Sequence, residues 1–378
     1  MTDLLGLAIL GFISTFGLFV VSPTLPLYVE RFGISYAGIG AFFSAYSFTW
    51  AALQLYTGHL ADRYGRKRFV LAGLVIYGLF AMACGLAQNF GQLLAFRLLQ
   101  GVGLGLFGPA MLGLAAGFEE KGKVFAFYRS AQTAGIVLAP TVGGYVGRAN
   151  LAYPFFVSAA AAALALTAIP FLQEGPRGGE AEAGFLAALR VALSRRGFVL
   201  LCLATFLAEL GYVALGIAVP LVGGEFGFTT DIIGWILAAY YVVFTLTQVP
   251  IGFLSERVNR RRLIIACALL ASLAYLWLFA ASAPWAMALG LGLLGVGVGA
   301  VFVQATAWAA EMAPVEAKSL YMATFDGVID FSFVVMPLIV GAVALWRVQL
   351  PFLLCGLLLL ASAAVFVQVT DGGGAMRS

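Results

Sequence analysis

Four ionisable residues lie inside long apolar stretches, where a charged side chain is unfavourable. They are Arg97, Glu209, Asp326 and Asp330. Asp326 and Asp330 are four residues apart and therefore share one face of a helix, and burial favours the protonated form of such carboxylates. We interpret Glu209 and Asp330 as proton-coupling candidates, with Asp326 and Arg97 as further candidates. The alternatives are that these carboxylates form structural ion pairs, for example with Arg97, or that they lie on a helix face turned to a water-filled crevice.

A second group of charges occupies the stretch "GHLADRYGRKRFV", residues 58–70. Charged residues make up only 10% of the chain, yet five fall here, namely Asp62, Arg63, Arg66, Lys67 and Arg68. Asp62 comes near the C-terminal end of a predicted helix, where the helix dipole disfavours an anion. We therefore expect Asp62 to have a specific partner, whereas Lys67 and Arg68 are interpreted as anchors at the membrane surface.

The charged stretch has a copy later in the chain. Residues 58–68, "GHLADRYGRKR", align with residues 252–262, "GFLSERVNRRR". Each residue of the second copy is numbered 194 higher than its counterpart in the first. The same difference of 194 superimposes "GVGLG" (101–105) on "GVGVG" (295–299). Two matches at one offset predict duplicated halves, in which Glu256 and Arg257 correspond to Asp62 and Arg63.

The overall composition is that of a membrane protein. Hydrophobic residues make up 62% of the 378 residues and the mean hydropathy is +1.01, whereas soluble domains are about 45–50% apolar. Segments long enough to cross a bilayer fall at 4–29, 36–58, 69–88, 91–117, 123–147, 152–172, 198–222, 229–254, 263–281, 284–309, 319–344 and 348–368. We predict an all-α integral membrane protein with twelve transmembrane helices in two pseudo-symmetric six-helix bundles.

The distribution of basic residues predicts the orientation. With the N-terminus placed in the cytoplasm, 17 of the 21 Lys and Arg residues fall on the cytoplasmic side. Positive charge accumulates on that side of membrane proteins, so both termini are predicted to be cytoplasmic. The predicted units are an N-terminal bundle (1–172), a cytoplasmic linker (173–197) and a C-terminal bundle (198–378).

Several other classes of function find no support in the sequence. The net charge of +4 comes from small basic clusters scattered between apolar segments, which argues against nucleic-acid binding. The sequence contains no P-loop, metal-binding cluster or nucleophile–base motif, so we expect no ATPase, no cofactor and no enzymatic activity. A membrane enzyme or a channel explains the charged loop and the intramembrane carboxylates less well than a transporter does.

The motifs resemble those of the major facilitator superfamily of secondary transporters. Residues Gly58, Leu60, Ala61, Asp62, Arg63, Gly65, Arg66 and Lys67 fill the loop motif G-x-L-A-D-R-x-G-R-K of this family. In the fourth segment, Arg97, Gln100 and Gly101 are similar to its R-x-x-Q-G motif. In the fifth, Gly135, Pro140, Gly143 and Gly144 resemble the proton-antiporter signature, with Ala139 in place of a glycine. The stretch "SPTLPLY" (22–28) is similar to drug-efflux members of the family.

The resemblance implies alternating access, with proton-coupled efflux of small amphipathic or apolar compounds. Uptake of a sugar or an organic acid by proton symport is the alternative. The resemblance also implies that Asp62 contacts the start of the eleventh helix, with Arg63 and Arg66 nearby. Glu256 would lie in the same way against the start of the fifth helix. Polar and aromatic residues expected in the cavity are Gln100, Gln132 and Gln304, with Tyr46, Gln54, Tyr240, Gln248 and Trp308. Small-molecule substrate, protons and the bilayer are the expected partners of a monomer in the inner membrane.

Overall fold

The computed structural model of the protein describes residues 2–116, 121–171, 195–313 and 318–369, which form helices and contain no β-strand. Lipid offers no hydrogen-bond partner to the backbone, so an apolar chain satisfies its peptide groups within helices. Numbered along the chain, the spans are Thr2–Phe19 with Leu25–Glu30, Tyr36–Tyr64, Arg66–Gly85, Phe90–Ala116, Lys121–Ala149, Tyr153–Ala168, Arg196–Glu225, Thr230–Arg257, Arg260–Ala280, Pro284–Met312, Lys318–Asp330 with Ser332–Ala344, and Leu350–Gln368.

The twelve predicted spans are confirmed, with ends that agree to within about six residues. Eight helices of the described residues, spans 3, 4 and 7–12, are long and apolar enough to cross a membrane, and apolar helices at Gly6–Phe19 and Tyr153–Ala168 are shorter. The remaining two spans, 2 and 5, are long but more polar. Span 2 packs against span 11 and span 5 packs against span 8, so both turn part of their surface towards the other half of the molecule.

The two halves repeat the same packing contacts. Gly101 of span 4 lies against the backbone of Tyr46 in span 2, and Gly295 of span 10 lies against the backbone of Tyr240 in span 8. Both residues of the second pair are numbered 194 higher than those of the first. Glycine lets two membrane helices approach closely. The repeat seen in the sequence is therefore also a repeat in three dimensions.

The halves meet through two related glycine contacts. Gly40 of span 2 lies against the backbone of Pro337 and Gly341 in span 11, and a Cβ atom there would overlap it. In the same way, Gly234 of span 8 lies against the backbone between Pro140 and Gly144 in span 5. A proline followed four residues later by a glycine thus occurs at both interfaces.

The apolar cores show which ends of the halves are joined. We call the end that carries residues 58–68 the motif end, and the other the opposite end. The larger core combines the second half with first-half residues from the opposite end, such as Val20 and Tyr28. The smaller core belongs to the first half alone and includes Ala61 and Leu114 near the motif end. The halves therefore share a core only at the opposite end.

The predicted linker, 173–197, lies almost entirely outside the described residues. The boundaries of the two predicted units, 1–172 and 198–378, stay predictions.

Candidate substrate cavity and coupling residues

A cavity of about 440 Å³ lies between the two halves and is lined by spans 1, 2, 4, 5, 7, 8 and 11. This volume falls in the range typical of small-molecule sites. Aromatic side chains form much of the wall, namely Phe19, Phe43, Tyr46, Trp50, Tyr212, Tyr241 and Phe333. Phe333 makes edge-to-face contacts with Trp50 at 5.9 Å and with Tyr212 at 6.2 Å between ring centroids. The wall therefore suits a flat, apolar ring system.

Arg97 lines this cavity although only 6% of it is exposed. Its guanidinium carbon lies 4.0 Å from the centroid of the Tyr46 ring, and its Nη1 donates a hydrogen bond of 2.6 Å to Oε1 of Gln100. Gln100 is fully buried. Gln100 therefore orients Arg97 and does not itself form part of the cavity wall.

Arg129 and Gln132 of span 5 form another polar part of the wall. Arg129 Nη1 donates to Gln132 Oε1 at 3.4 Å, and Gln132 Nε2 donates to the Tyr128 hydroxyl at 3.2 Å. Arg129 is one of the 17 basic residues that the charge distribution places on the cytoplasmic side. Only the path of span 5 along the cavity shows that this arginine faces the space between the halves.

The three carboxylates lie beside the central cavity, and among the described residues none of them lines it. Asp330 lines a second cavity of about 560 Å³, enclosed by spans 2, 7 and 11. Its Oδ2 accepts a hydrogen bond of 3.0 Å from Nε2 of Gln54, which belongs to the other half. Glu209 is buried, Asp330 is partly buried, and Asp326 is exposed.

These carboxylates interact electrostatically with one another and, through Asp326, with Arg129 of the cavity wall. Asp330 is close enough to repel Glu209 electrostatically, and it also repels Asp326. Asp326 in turn is attracted by Arg129 on the cavity wall. The structural alternative was an ion pair between Glu209 and Arg97. The described partners of Arg97 are instead Gln100 and Tyr46.

Span 11 is interrupted next to Asp330. One helix ends at Asp330 and the next begins at Ser332. Pro337 in the second helix has no N–H to donate, and the Ser44 hydroxyl of span 2 donates to the Val334 carbonyl oxygen beside it. The irregularity is confined to one residue, because Phe331 keeps a helical φ of −62° and ψ of −22°.

The loop motif makes its contacts within the first half. Gly65 adopts a φ of 107°, in the region that favours glycine, and thereby connects span 2 to span 3. Arg66 Nε donates to Oδ1 of Asp62 at 2.6 Å, and Arg66 Nη1 donates to the carbonyl of Gly113 in span 4 at 2.7 Å. Arg66 is thus the described partner of Asp62. The side chains at the start of span 11, residues 314–320, lie outside the described part of the structure, so the implied contact of Asp62 with span 11 stays a prediction.

The second half contains a related arrangement built from different residues than the sequence suggested. Arg260, numbered 194 above Arg66, pairs with Glu311 at the end of span 10. Arg257 is exposed, and the side chain of Glu256 lies outside the described part of the structure. Gly58 and Arg63 lie on span 2, where the Arg63 guanidinium carbon is 5.4 Å from the centroid of the Tyr64 ring.

One ion pair between described residues connects the two halves, and it lies at the opposite end. Arg148 Nη1 of span 5 is 3.3 Å from Oδ2 of Asp231 in span 8. Next to it, the Thr230 hydroxyl donates to the Gly144 carbonyl oxygen at 2.8 Å. The opposite end is thus held closed by polar and glycine contacts, whereas the described ion pairs at the motif end stay within each half.

The antiporter-like motif of span 5 forms helix contacts. Gly135 lies against the backbone of Phe12, and Gly143 lies against Val20, both in span 1. Pro140 and Gly144 form the contact with Gly234 described above. Gln304, another expected cavity residue, is buried in span 10 and donates to the Ile251 carbonyl oxygen at 3.4 Å, away from the lining of the central cavity.

A membrane-embedded helical protein with two repeated halves and a cavity between them has the architecture of a secondary transporter. Residues 7–204 and 201–374 match the model of the Major Facilitator Superfamily. The chain therefore belongs to this family and is a multi-pass membrane protein.

Two relatives are similar to this chain in sequence, and one solved structure is similar to it in fold. The chain is 26% identical over 157 residues to the quinolone resistance protein NorA of Staphylococcus aureus, a match that spans 41% of this chain and 40% of the relative. It is 24% identical over 270 residues to multidrug resistance protein 2 of Bacillus subtilis, with 68% and 67% covered. A bacterial homologue of the human lysosomal transporter Spinster, in an inward-facing and occupied conformation, superimposes with a TM-score of 0.83 at 16% identity, covering 97% of this chain and 96% of that one.

Proposed function

We propose that the protein exports small amphipathic compounds across the inner membrane in exchange for protons, with the motif end in the cytoplasm. The observation that supports this most directly is the hydrogen bond of 3.0 Å that Gln54 of span 2 donates to Asp330 of span 11 across the interface between the halves, with a second intramembrane carboxylate, Glu209, buried on span 7. The relatives named for drug resistance agree with efflux, although the match to NorA covers only about two fifths of either chain.

The hydrogen bond between Gln54 and Asp330 links the proton to the movement. It joins the two halves across the interface of spans 2 and 11. Hydrogen bonds to an ionised carboxylate are stronger than those to a neutral one, so protonation of Asp330 weakens this contact. Protonation also removes the repulsion between Asp330 and Glu209. One helix of span 11 ends at Asp330 and the next begins at Ser332, and we take this irregularity as the point at which the two parts of the span change their angle.

In this proposal we assign the conformation of the structure to the inward-open state of the cycle. The opposite end is closed by the glycine contacts and the Arg148–Asp231 pair, and the motif end has no described ion pair between the halves. On closure of the motif end, Asp62 leaves Arg66 and binds the N-terminus of span 11, where the helix dipole stabilises a carboxylate. This exchange of partners makes the loop motif a latch.

The latch is tested by the substitution Asp62→Asn. The amide keeps the size of the side chain but removes the charge that span 11 would attract, so we expect transport to fall about tenfold, within the usual range of coupling energies. The measurement is the initial transport rate in proteoliposomes at equal protein content. Arg68→Gln, which removes an exposed charge from the same loop, is the control and should transport normally. Normal transport by Asp62→Asn would exclude the latch.

The direction and the coupling are tested together in proteoliposomes with an imposed pH gradient and a panel of dyes, antibiotics and sugars. Export by exchange predicts that vesicles with an acidic interior accumulate an amphipathic compound from outside, because protons leave as the compound enters. Proton symport, the alternative, predicts accumulation only when the exterior is acidic. Movement of every compound down its own gradient, without any effect of pH, would contradict both.

A further inference from the structure

The central cavity carries positive charge and keeps the acidic residues out of its wall. Among its described lining residues the charged ones are Arg97 and Arg129. Arg129 has an acidic neighbour in Asp326. Arg97 is not part of any ion pair between described residues, and its contacts are with the neutral side chains of Gln100 and Tyr46. A cation that enters the cavity therefore meets like charge, and an anion meets opposite charge.

Arg97 also has unused hydrogen-bonding capacity. Its Nε atom is buried without a hydrogen-bond partner, and so are the Nε2 atom of Gln100 and the hydroxyl of Tyr46 next to it. Buried polar atoms without partners are unfavourable, and a buried charge without a counter-charge is more so. An anionic ligand beside the guanidinium would supply the missing counter-charge. The planar guanidinium matches a carboxylate particularly well, since two parallel hydrogen bonds form.

The second half shows that the fold itself does not require this polar pair. The positions numbered 194 above Arg97 and Gln100 are Leu291 and Leu294, and both leucines are fully buried. They precede Gly295, which makes the same contact with Tyr240 that Gly101 makes with Tyr46. The same helix packing is thus built with leucine in one half and with arginine and glutamine in the other. The helix packing therefore does not require the polar pair, and of the two residues Arg97 lines the cavity.

We propose that Arg97 binds a carboxylate on the transported compound, so that the substrates are aromatic acids or zwitterions whose ring lies against the aromatic wall. This inference deepens the proposed function and rests on it. Gln100 holds the guanidinium over the Tyr46 ring, while Phe333, Trp50 and Tyr212 contact the ring system of the ligand. Simple organic cations lacking an acidic group are poor ligands of this site.

Binding to the full-length protein in lipid nanodiscs tests the inference with three naphthalene compounds of similar size, 2-naphthoate, 2-naphthamide and a naphthylmethyl-trimethylammonium ion. We expect 2-naphthoate to bind at least about tenfold more tightly than the other two, since it alone forms charge-assisted hydrogen bonds with Arg97. The variant Arg97→Leu combined with Gln100→Leu reproduces the arrangement of the second half and should fold. It should lose the preference for the carboxylate and keep the affinity for the amide.

Arg97→Lys separates charge from geometry, because lysine keeps the charge but not the two parallel donors; we expect a partial loss of the preference. Equal or tighter binding of the ammonium compound by the native protein, or an unchanged carboxylate preference in the double leucine variant, would overturn the inference. Nanodisc binding needs no pH gradient. Failure of proton coupling would therefore appear in the proteoliposome experiment alone, and failure of carboxylate recognition in the nanodisc experiment alone.

Discussion

Asp330→Asn is expected to lower pH-driven accumulation of substrate on the order of a hundredfold, while substrate exchange across the membrane continues. The amide can still hydrogen-bond Gln54, so the contact between spans 2 and 11 is preserved. It cannot exchange a proton, however, so the contact no longer depends on pH. The size of the effect corresponds to the loss of a coupling free energy at the upper end of the usual range. Proteoliposomes with and without a pH gradient measure both activities in one preparation.

Glu209→Gln tests whether the coupling involves one carboxylate or two. Glu209 is buried beside Asp330 and the two repel when both are charged, so we expect the same uncoupled behaviour. Glu225→Gln, which removes an exposed carboxylate at the far end of span 7, is the matched control and should remain coupled. If both Asp330→Asn and Glu209→Gln accumulate substrate normally along a pH gradient, this pair does not carry the proton.

The helices and the duplicated halves could be predicted from the sequence because the underlying physical effect is large. A charge or an unpaired peptide group in lipid is so unfavourable that long apolar segments bounded by charges have few alternatives to membrane-spanning helices. The repeat could also be recognised, because Gly101 and Gly295 lie where two helices approach closely and a larger side chain would not fit. The family membership follows from the same residues and is confirmed by the match of both halves.

The candidate site was less predictable, because it depends on three-dimensional neighbours. Arg129 and Arg260 are ordinary basic residues in the sequence, and only the folded chain brings one to the cavity and the other to Glu311. The interruption of span 11 falls at Phe331, where no glycine or proline announces it. In the proposed cycle Asp62 binds Arg66 in one conformation and the N-terminus of span 11 in the other. A sequence pattern carries no information about which conformation a structure shows.

In the proposed export cycle the opposite end separates to release the substrate, and we expect its closure to depend on the glycines at the two interfaces. We expect Gly144→Val to reduce transport on the order of a hundredfold. A Cβ atom at this position would overlap the Thr230 carbonyl oxygen and approach the Cα atoms of Gly234 and Asp231. Forcing extra atoms into a close contact costs about 1–3 kcal/mol or more, and here the cost falls only on the state in which spans 5 and 8 touch.

The variant should therefore fold and stay open at the opposite end. Spin labels attached to cysteines at Ala149 and Glu225, exposed residues on different halves at that end, should report a longer distance in Gly144→Val than in the parent protein. Gly108→Val is the matched control, since a Cβ atom at Gly108 meets nothing within 4 Å, and it should show neither effect. An unchanged label distance together with lost transport would assign Gly144 to folding or substrate binding. Normal transport by Gly144→Val would show that the glycine contact is dispensable for closure.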